Sequence, residues 1–288
     1  MRALGILGPG ALGRSLAQWA ALCGLQVRLF GRNVDHARRG TEEVVRRWGV
    51  EAAKGRLSQE ARDQAQTRLH PCAFGPEGLE GLDILLEAVP EEAALKAPLL
   101  RQAATWAPED MLFLSGTSSL PIGGLARDSG LVGRLMGFHL FVPVPRMHLV
   151  ELITPEGTPD PLIRRARSLA EHLGKRIVSV QDQPGFAAAR LALAQGLEAM
   201  RLVEAGVASP EDLDAIMTLG YGHPTGPLEL SDRIGLDLRL RIAEGLHRAT
   251  GDPRFQVPRI LEEKVAQGDV GRRSGRGFYV WDASGNRR

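Results

Sequence analysis

Cysteine and aromatic side chains are scarce in this sequence: two cysteines and 5% aromatic residues among 288. Cys23 and Cys72 lie outside any Cys-x-x-Cys or Cys/His cluster, which excludes a disulfide framework and a cysteine-based metal site and fits a reducing compartment. A surplus of one charge is lacking too, with 36 basic residues against 34 acidic ones and a formal net charge of +2. The basic residues are scattered, so no nucleic-acid footprint is present. No apolar run has membrane-spanning length, and the N-terminus enters an apolar strand without a basic region or cleavage signal. The expectation is a cytoplasmic protein that works without membrane, nucleic acid or metal. There is no internal repeat or low-complexity tract. What is present is a 43% apolar fraction, enough for a substantial core in two domains or one large one.

The apolar stretch 3–7 reads as a buried strand. It feeds Gly8-Pro9-Gly10-Ala11-Leu12-Gly13, a GxGxxG that opens a helical run from Arg14, and a second strand follows at 26–30. Glycines at that spacing permit a tight turn, close approach of backbone to a pyrophosphate and close helix packing, with the helix N-terminus facing the phosphates. Gly8, Gly10, Leu12 and Gly13 are therefore candidate contacts to a dinucleotide. Where NAD-binding proteins usually carry an acid for the ribose 2′-hydroxyl, the chain reads Gly31-Arg32-Asn33. Either Arg32 grips a 2′-phosphate, which tilts the choice from NAD to NADP, or it is a solvated loop residue.

Residues 34–69 are strongly charged, with two helical stretches broken near 53–56 and a helix start at Ser58. Two readings stand: a hairpin that projects from the sheet to cover a long substrate, with Lys54 and Arg56 at its tip meeting phosphates, or a solvated charged hairpin. Strands at 68–74, 83–89 and 111–114 alternate with a helix over 91–106, the pattern of a parallel sheet covered on both faces. Ligands in such sheets lie beyond the carboxyl ends of the strands, which points to 87–91 and 115–119. Ser118 there either offers its hydroxyl to a reacting oxygen or caps the turn before Pro121.

The stretch 137–151 sets His139 and Glu151 on either side of Val142-Pro143-Val144-Pro145. Proline fixes φ and disfavours helix in the preceding residue, so the corner is not helical and the chain can double back. Either the two side chains then meet, or His139 is a buried residue bonded to backbone and Glu151 a surface charge. An imidazole that titrates near neutrality, backed by a carboxylate, can take a proton from an alcohol. After a helix at 161–173 and a strand at 176–180 the pattern changes, and from 186 onward it is almost all helical. The expected architecture is α/β, a Rossmann-type doubly wound parallel sheet over 1–182 with an inserted helical hairpin near 34–69. An all-helical domain over 183–288 follows, with apolar faces suited to a homodimer surface and to a lid on the substrate side.

Taken together, these segments resemble the two-domain 3-hydroxyacyl-CoA dehydrogenases, in particular the short-chain 3-hydroxybutyryl-CoA type. The similarity runs from Gly8–Gly13 through 87–96, 117–120, 139–151, Asp182-Gln183-Pro184-Gly185-Phe186 and 222–230 to 271–279. The resemblance implies reversible oxidation of an L-3-hydroxyacyl-CoA to the 3-ketoacyl-CoA with NAD or NADP. It implies His139 as the base, Glu151 as its partner and Ser118 as a hydrogen-bond donor to the 3-oxygen. It also implies Lys54 at the CoA and Glu91 and Lys96 near the nicotinamide side. The family usually has Asn where this chain has Gly116, Val142 and Ala189, and Asp where it has Gly31. The loss of two amides close to the reacting hydroxyl weakens what fixes the substrate. A dehydrogenase of a free 3-hydroxy acid or sugar acid, and a nucleotide-binding protein of low activity, are the alternatives.

Overall fold

Residues 3–288 are described by a computed structural model, in which the chain divides into two compact units, one ending at Phe186 and the other starting at Ala187. The first unit is built on eight strands: β1 (Ala3–Leu7), β2 (Gln26–Gly31), β3 (Leu69–Ala73), β4 (Ile84–Glu87), β5 (Leu112–Ser115), β6 (Leu135–Leu140), β7 (Leu149–Thr154) and β8 (Arg176–Gln181). They form one sheet in the order β3-β2-β1-β4-β5-β6-β7-β8. β1, β4, β5 and β6 are buried along their entire length, as strands covered on both faces must be, and they read as near-continuous apolar runs, with polar residues only at Glu87, Ser115 and His139. Every neighbouring pair is parallel except β6 and β7, which run antiparallel.

Seven helices cover this sheet: α1 (Ala11–Leu22), α2 (Val34–Ala53), α3 (Gln59–Thr67), α4 (Pro76–Leu79), α5 (Ala93–Trp106), α6 (Ile122–Ser129) and α7 (Asp160–His172). One apolar layer joins Leu16, Val44, Trp48 and Leu169 from α1, α2 and α7. The opposite layer joins Leu79, Leu100, Leu125 and Phe113. The α2–α3 hairpin starts and restarts on side-chain caps, Asn33 Oδ1 accepting from His36 N–H and Ser58 Oγ from Ala61 N–H. It does not stand free as the charged sequence suggests: Val44, Trp48 and Ala65 are buried in the first layer, while its outer face and the tip at Lys54, Gly55 and Arg56 stand in solvent.

The second unit contains α8 (Ala188–Glu204), α9 (Pro210–Ala215), α10 (Pro227–Ile234), α11 (Leu236–Thr250) and α12 (Arg259–Ala266) around Leu197, Met200, Leu228, Phe255 and Trp281. Two buried carboxylates organise it. Asp214 accepts from the N–H groups of Leu228 and Glu229 at the start of α10 and from the Tyr279 hydroxyl. Asp232 accepts from Phe278 N–H, Tyr279 N–H and Trp281 Nε1–H at 2.9, 2.9 and 3.0 Å. The expected helical second domain is observed; after α12 the chain closes in a short stretch held down by isolated bridges such as Arg276 to Val280 and by the Asp232 carboxylate. No helix among the described residues is long and apolar enough to cross a membrane. Asp232→Ala strips three buried donors of their acceptor and should lower stability by about 2–4 kcal/mol in urea denaturation. An unchanged midpoint would mean that water satisfies those donors instead.

Candidate active site

The antiparallel pairing of β6 with β7 puts His139 directly opposite Glu151. Their side chains meet at 2.6 Å between Nδ1 and Oε2, with the imidazole 9% and the carboxylate 2% exposed. A carboxylate accepts, so Nδ1 carries the hydrogen, and in the neutral imidazole Nε2 is then the nitrogen with the lone pair. The rings of Phe141 and Phe186 lie 4.9 and 6.1 Å from the imidazole and wall it in. The proline corner between the strands is pinned from two sides. Val144 N–H donates to Ser15 Oγ on α1 at 2.8 Å. The buried Lys175 ammonium donates to the carbonyls of Val144 and Met147 at 2.6 and 2.8 Å and stacks over the Trp19 ring. Burial pushes the pKa of Lys175 down. Neither Ser15 nor Lys175 is visible as a site residue in the sequence, because each acts on backbone far along the chain.

At the carboxyl edge of β1, β2 and β4 a cavity of about 780 Å³ is lined by Gly8, Gly10, Leu12, Arg32, Val89 and Pro90, among others. The glycines fit a dinucleotide here. Gly8 has φ +113° and a Cβ on it would lie 2.8 Å from the Ala88 carbonyl oxygen, while a Cβ on Gly13 would strike the Gly8 carbonyl. Only bare backbone lets α1 start this close to β4 and present its first N–H groups to a phosphate. Arg32 is exposed at this cavity.

Glu91 and Lys96 belong to one polar cluster with Glu87, a residue that the sequence leaves unmarked except as an acid ending an apolar strand. The buried Lys96 ammonium pairs with Glu87 at 2.7 Å and Glu91 at 3.2 Å and donates to the Val89 carbonyl. Ser115 Oγ donates to Glu87. Burial pushes the Glu87 carboxyl up despite Lys96. In Glu91, burial pushes the same way but is outweighed by Lys96 and by hydrogen bonds from the turn, which hold it below its ordinary value. Glu91 Oε1 collects the Thr117 hydroxyl at 2.6 Å, Ser118 N–H at 2.9 Å and Ser119 N–H at 3.2 Å. The exposed Ser118 hydroxyl also donates to Glu91, at 3.3 Å. Register places Ser115 beside Gly137, so this turn and His139 leave the sheet at the same edge.

Lys54 caps the end of α2 and Arg56 faces Glu51 at 3.6 Å, both exposed. Beside them a groove of about 590 Å³ runs between α2 and the proline corner, lined by Arg46, Arg47, Pro143, Pro145 and Arg146. It brings three guanidinium groups, which the sequence did not single out, next to the corner that carries His139.

Comparison with known proteins fits this geometry. Residues 3–183 match the 3-hydroxyacyl-CoA dehydrogenase NAD binding domain, and residues 185–281 match the C-terminal domain of the same family. The chain belongs to the 3-hydroxyacyl-CoA dehydrogenase family. A probable 3-hydroxybutyryl-CoA dehydrogenase of Deinococcus radiodurans is 37% identical over 96% of this chain and 99% of the relative. One from Bacillus subtilis is 36% identical over 96% of each. The crystal structure of (S)-3-hydroxybutyryl-CoA dehydrogenase from Ralstonia eutropha superposes with a TM-score of 0.94 at 35% identity, covering 98% of this chain and 99% of that one. A nicotinamide dinucleotide is thus the cofactor of this dehydrogenase family member, and the bare backbone at Gly8–Gly13 leaves room for one.

One departure from the family pattern has a steric counterpart. A Cβ on Gly116 would lie 2.6 Å from Leu12 Cδ2 and 3.1 Å from the Glu87 carbonyl, so Leu12 fills the space that a side chain at 116 would need. At Val142 the side chain is exposed and apolar. The depressed Glu91 pKa carries a sign. Its folded value lies below the ordinary 4.5, so its contribution is present above that pH and is lost as pH falls through the folded value. Glu91→Gln should therefore cost more stability at pH 7 than at pH 3.5, compared by urea melts; an equal cost at both would refute an ionised Glu91.

Proposed function

We propose that the protein oxidises the 3-hydroxyl of an L-3-hydroxyacyl-CoA to the ketone, reversibly. The observation that carries this reading is the His139–Glu151 pair, with Nδ1 held at 2.6 Å on the sheet edge shared with the turn that Glu91 shapes. His139 Nε2 takes the proton of the 3-hydroxyl, and the imidazolium that forms is balanced by the Glu151 carboxylate already bonded to it. In the reverse direction the same nitrogen returns the proton to the 3-oxygen. When bound, the nicotinamide supplies the acceptor for the hydride from C3.

Ser118 exchanges its contact with Glu91 for one to the 3-oxygen. Gly8, Gly10, Leu12 and Gly13 hold the dinucleotide, with Glu91 and Lys96 shaping its nicotinamide side, and Arg32 tilts the choice from NAD toward NADP. Lys54 and Arg56 meet the phosphates of CoA, supported by the basic groove that starts at Pro143. The names of the relatives, each a 3-hydroxybutyryl-CoA dehydrogenase, favour a short acyl chain.

The second unit supports a homodimer, since Leu191, Leu219 and Tyr221 are each more than 70% exposed on it. Light scattering should give twice the chain mass of 31.2 kDa, and a monomer at micromolar concentration would overturn the dimer.

The activity is tested by following reduced nicotinamide with acetoacetyl-CoA. Turnover is expected, and His139→Ala should lose roughly two to four orders of magnitude in kcat, the usual share of a positioned acid–base group. Unchanged turnover in that variant would remove His139 from the mechanism. Turnover of free acetoacetate but not of its thioester would favour the free 3-hydroxy acid as substrate, a reading consistent with the apolar residues at Gly116 and Val142.

A further inference from the structure

At the end of β2 the chain passes through Gly31 directly into the loop that starts α2. An acidic side chain there would accept the ribose hydroxyls of NAD. The backbone leaves no room for one, since a Cβ on Gly31 would lie 2.6 Å from the Ala37 nitrogen and 2.9 Å from the Asn33 carbonyl oxygen. Basic side chains surround the place instead. Arg32 stands in the loop, and His36 and Arg39 are one turn apart on α2, so they share a face. Arg14 comes from α1. Arg14, Arg32 and His36 line the dinucleotide cavity, and a second cavity of about 330 Å³ shares Pro9, Arg14 and His36 with it and adds Arg39.

No acid among the described residues pairs with any of these four. The acids within reach are engaged elsewhere: Asp35 holds Arg38 at 2.7 Å, and Glu43, which lines the second cavity, holds Arg46 and Arg47. Two donor-bearing atoms are sealed from water without a partner, Arg14 Nε and His36 Nδ1. Burial first, then the charges of Arg32 and Arg39, push the pKa of His36 below its ordinary value, which places its imidazole in the field of two guanidinium groups. Convergent, unbalanced guanidinium groups of this kind fit a small dianion, with their forks for its oxygens and a neutral imidazole as a further donor.

We propose that Arg32, His36 and Arg39, with Arg14 behind them, form a subsite for the 2′-phosphate of NADP(H), and that this subsite makes the protein prefer NADP(H) over NAD(H). The proposal rests on the dinucleotide reading of the Gly8–Gly13 cavity and extends it beyond Arg32. The 2′-phosphate lies over the first turns of α2, where Gly31 brings no carboxylate to repel it.

Calorimetric titration with adenosine 2′,5′-bisphosphate and with 5′-AMP reads the subsite without any turnover. The wild-type protein should bind the bisphosphate at least about tenfold more tightly than AMP. Arg32→Ala and Arg39→Ala should each remove roughly tenfold of that preference while leaving AMP binding nearly unchanged; both residues are exposed, and a thermal melt confirms that the variants fold. Equal affinity of the wild type for the two ligands, or equal weakening of both by the substitutions, overturns the subsite. The acyl-CoA reading fails separately. Reduction of acetoacetyl-CoA with NADH as readily as with NADPH overturns the subsite and leaves that reading intact, whereas a strong 2′-phosphate preference without acyl-CoA turnover upholds the subsite and overturns the substrate assignment.

Discussion

The antiparallel return of β7 against β6 is the constraint on which the site depends. In a parallel sheet no two sequence neighbours face each other across a short connection, because each crossover takes a helix. The reversal at the proline corner breaks that pattern once and lets residues 139 and 151 oppose each other. A slip of one residue in this pairing would turn Glu151 to the other face of the sheet and leave a buried carboxylate with no imidazole. The supports around the corner all guard the register: Ser15 Oγ takes the Val144 N–H, and Lys175 clamps the carbonyls of Val144 and Met147. A lysine that binds only carbonyls and an aromatic face is costly to bury. Its presence is explained by the geometry it enforces rather than by net stability.

The Lys96 cluster makes the same point with the opposite chemistry. Removing an ammonium and a carboxylate from water costs about as much as their attraction returns, so the Lys96–Glu87 pair is weak evidence for stability. What it does fix is the position of Glu91, and through Glu91 the backbone of residues 117–119. The carboxylate does for this turn what a helix N-cap does for a first turn, collecting several N–H groups that would otherwise lack acceptors. In this fold charged side chains inside the first unit act on backbone as often as on one another.

Much of this was legible in the sequence, for physical reasons. Strands buried on both faces must be continuously apolar, so β1, β4 and β5 announce themselves, and the Gly8–Gly13 spacing has few uses other than a tight strand-to-helix turn. That His139 and Glu151 can meet followed from the prolines, while the register that makes them oppose each other did not. What was not legible depends on pairings distant in the chain. Nothing local marks Lys175 as reaching back to Val144, or Glu87 as the partner of Lys96. The α2–α3 hairpin is charged enough to suggest a free-standing arm, yet Trp48 and Val44, two residues in a polar stretch, are enough to seat it on the sheet. The way the chain end is held was hidden likewise, since its acceptor, Asp232, lies on a helix more than forty residues upstream.

The cavity at the carboxyl edge of the sheet is electrically lopsided. Beyond β4 a lone ammonium is offset by two carboxylic acids, while beyond β2 several cationic side chains stand with no acid to offset them. A long ligand with phosphates toward one extremity and an uncharged or cationic ring at the other thus meets a potential gradient along its own axis. Such a gradient sorts head from tail during approach, before any hydrogen bond forms, and its grip fades as added salt screens it.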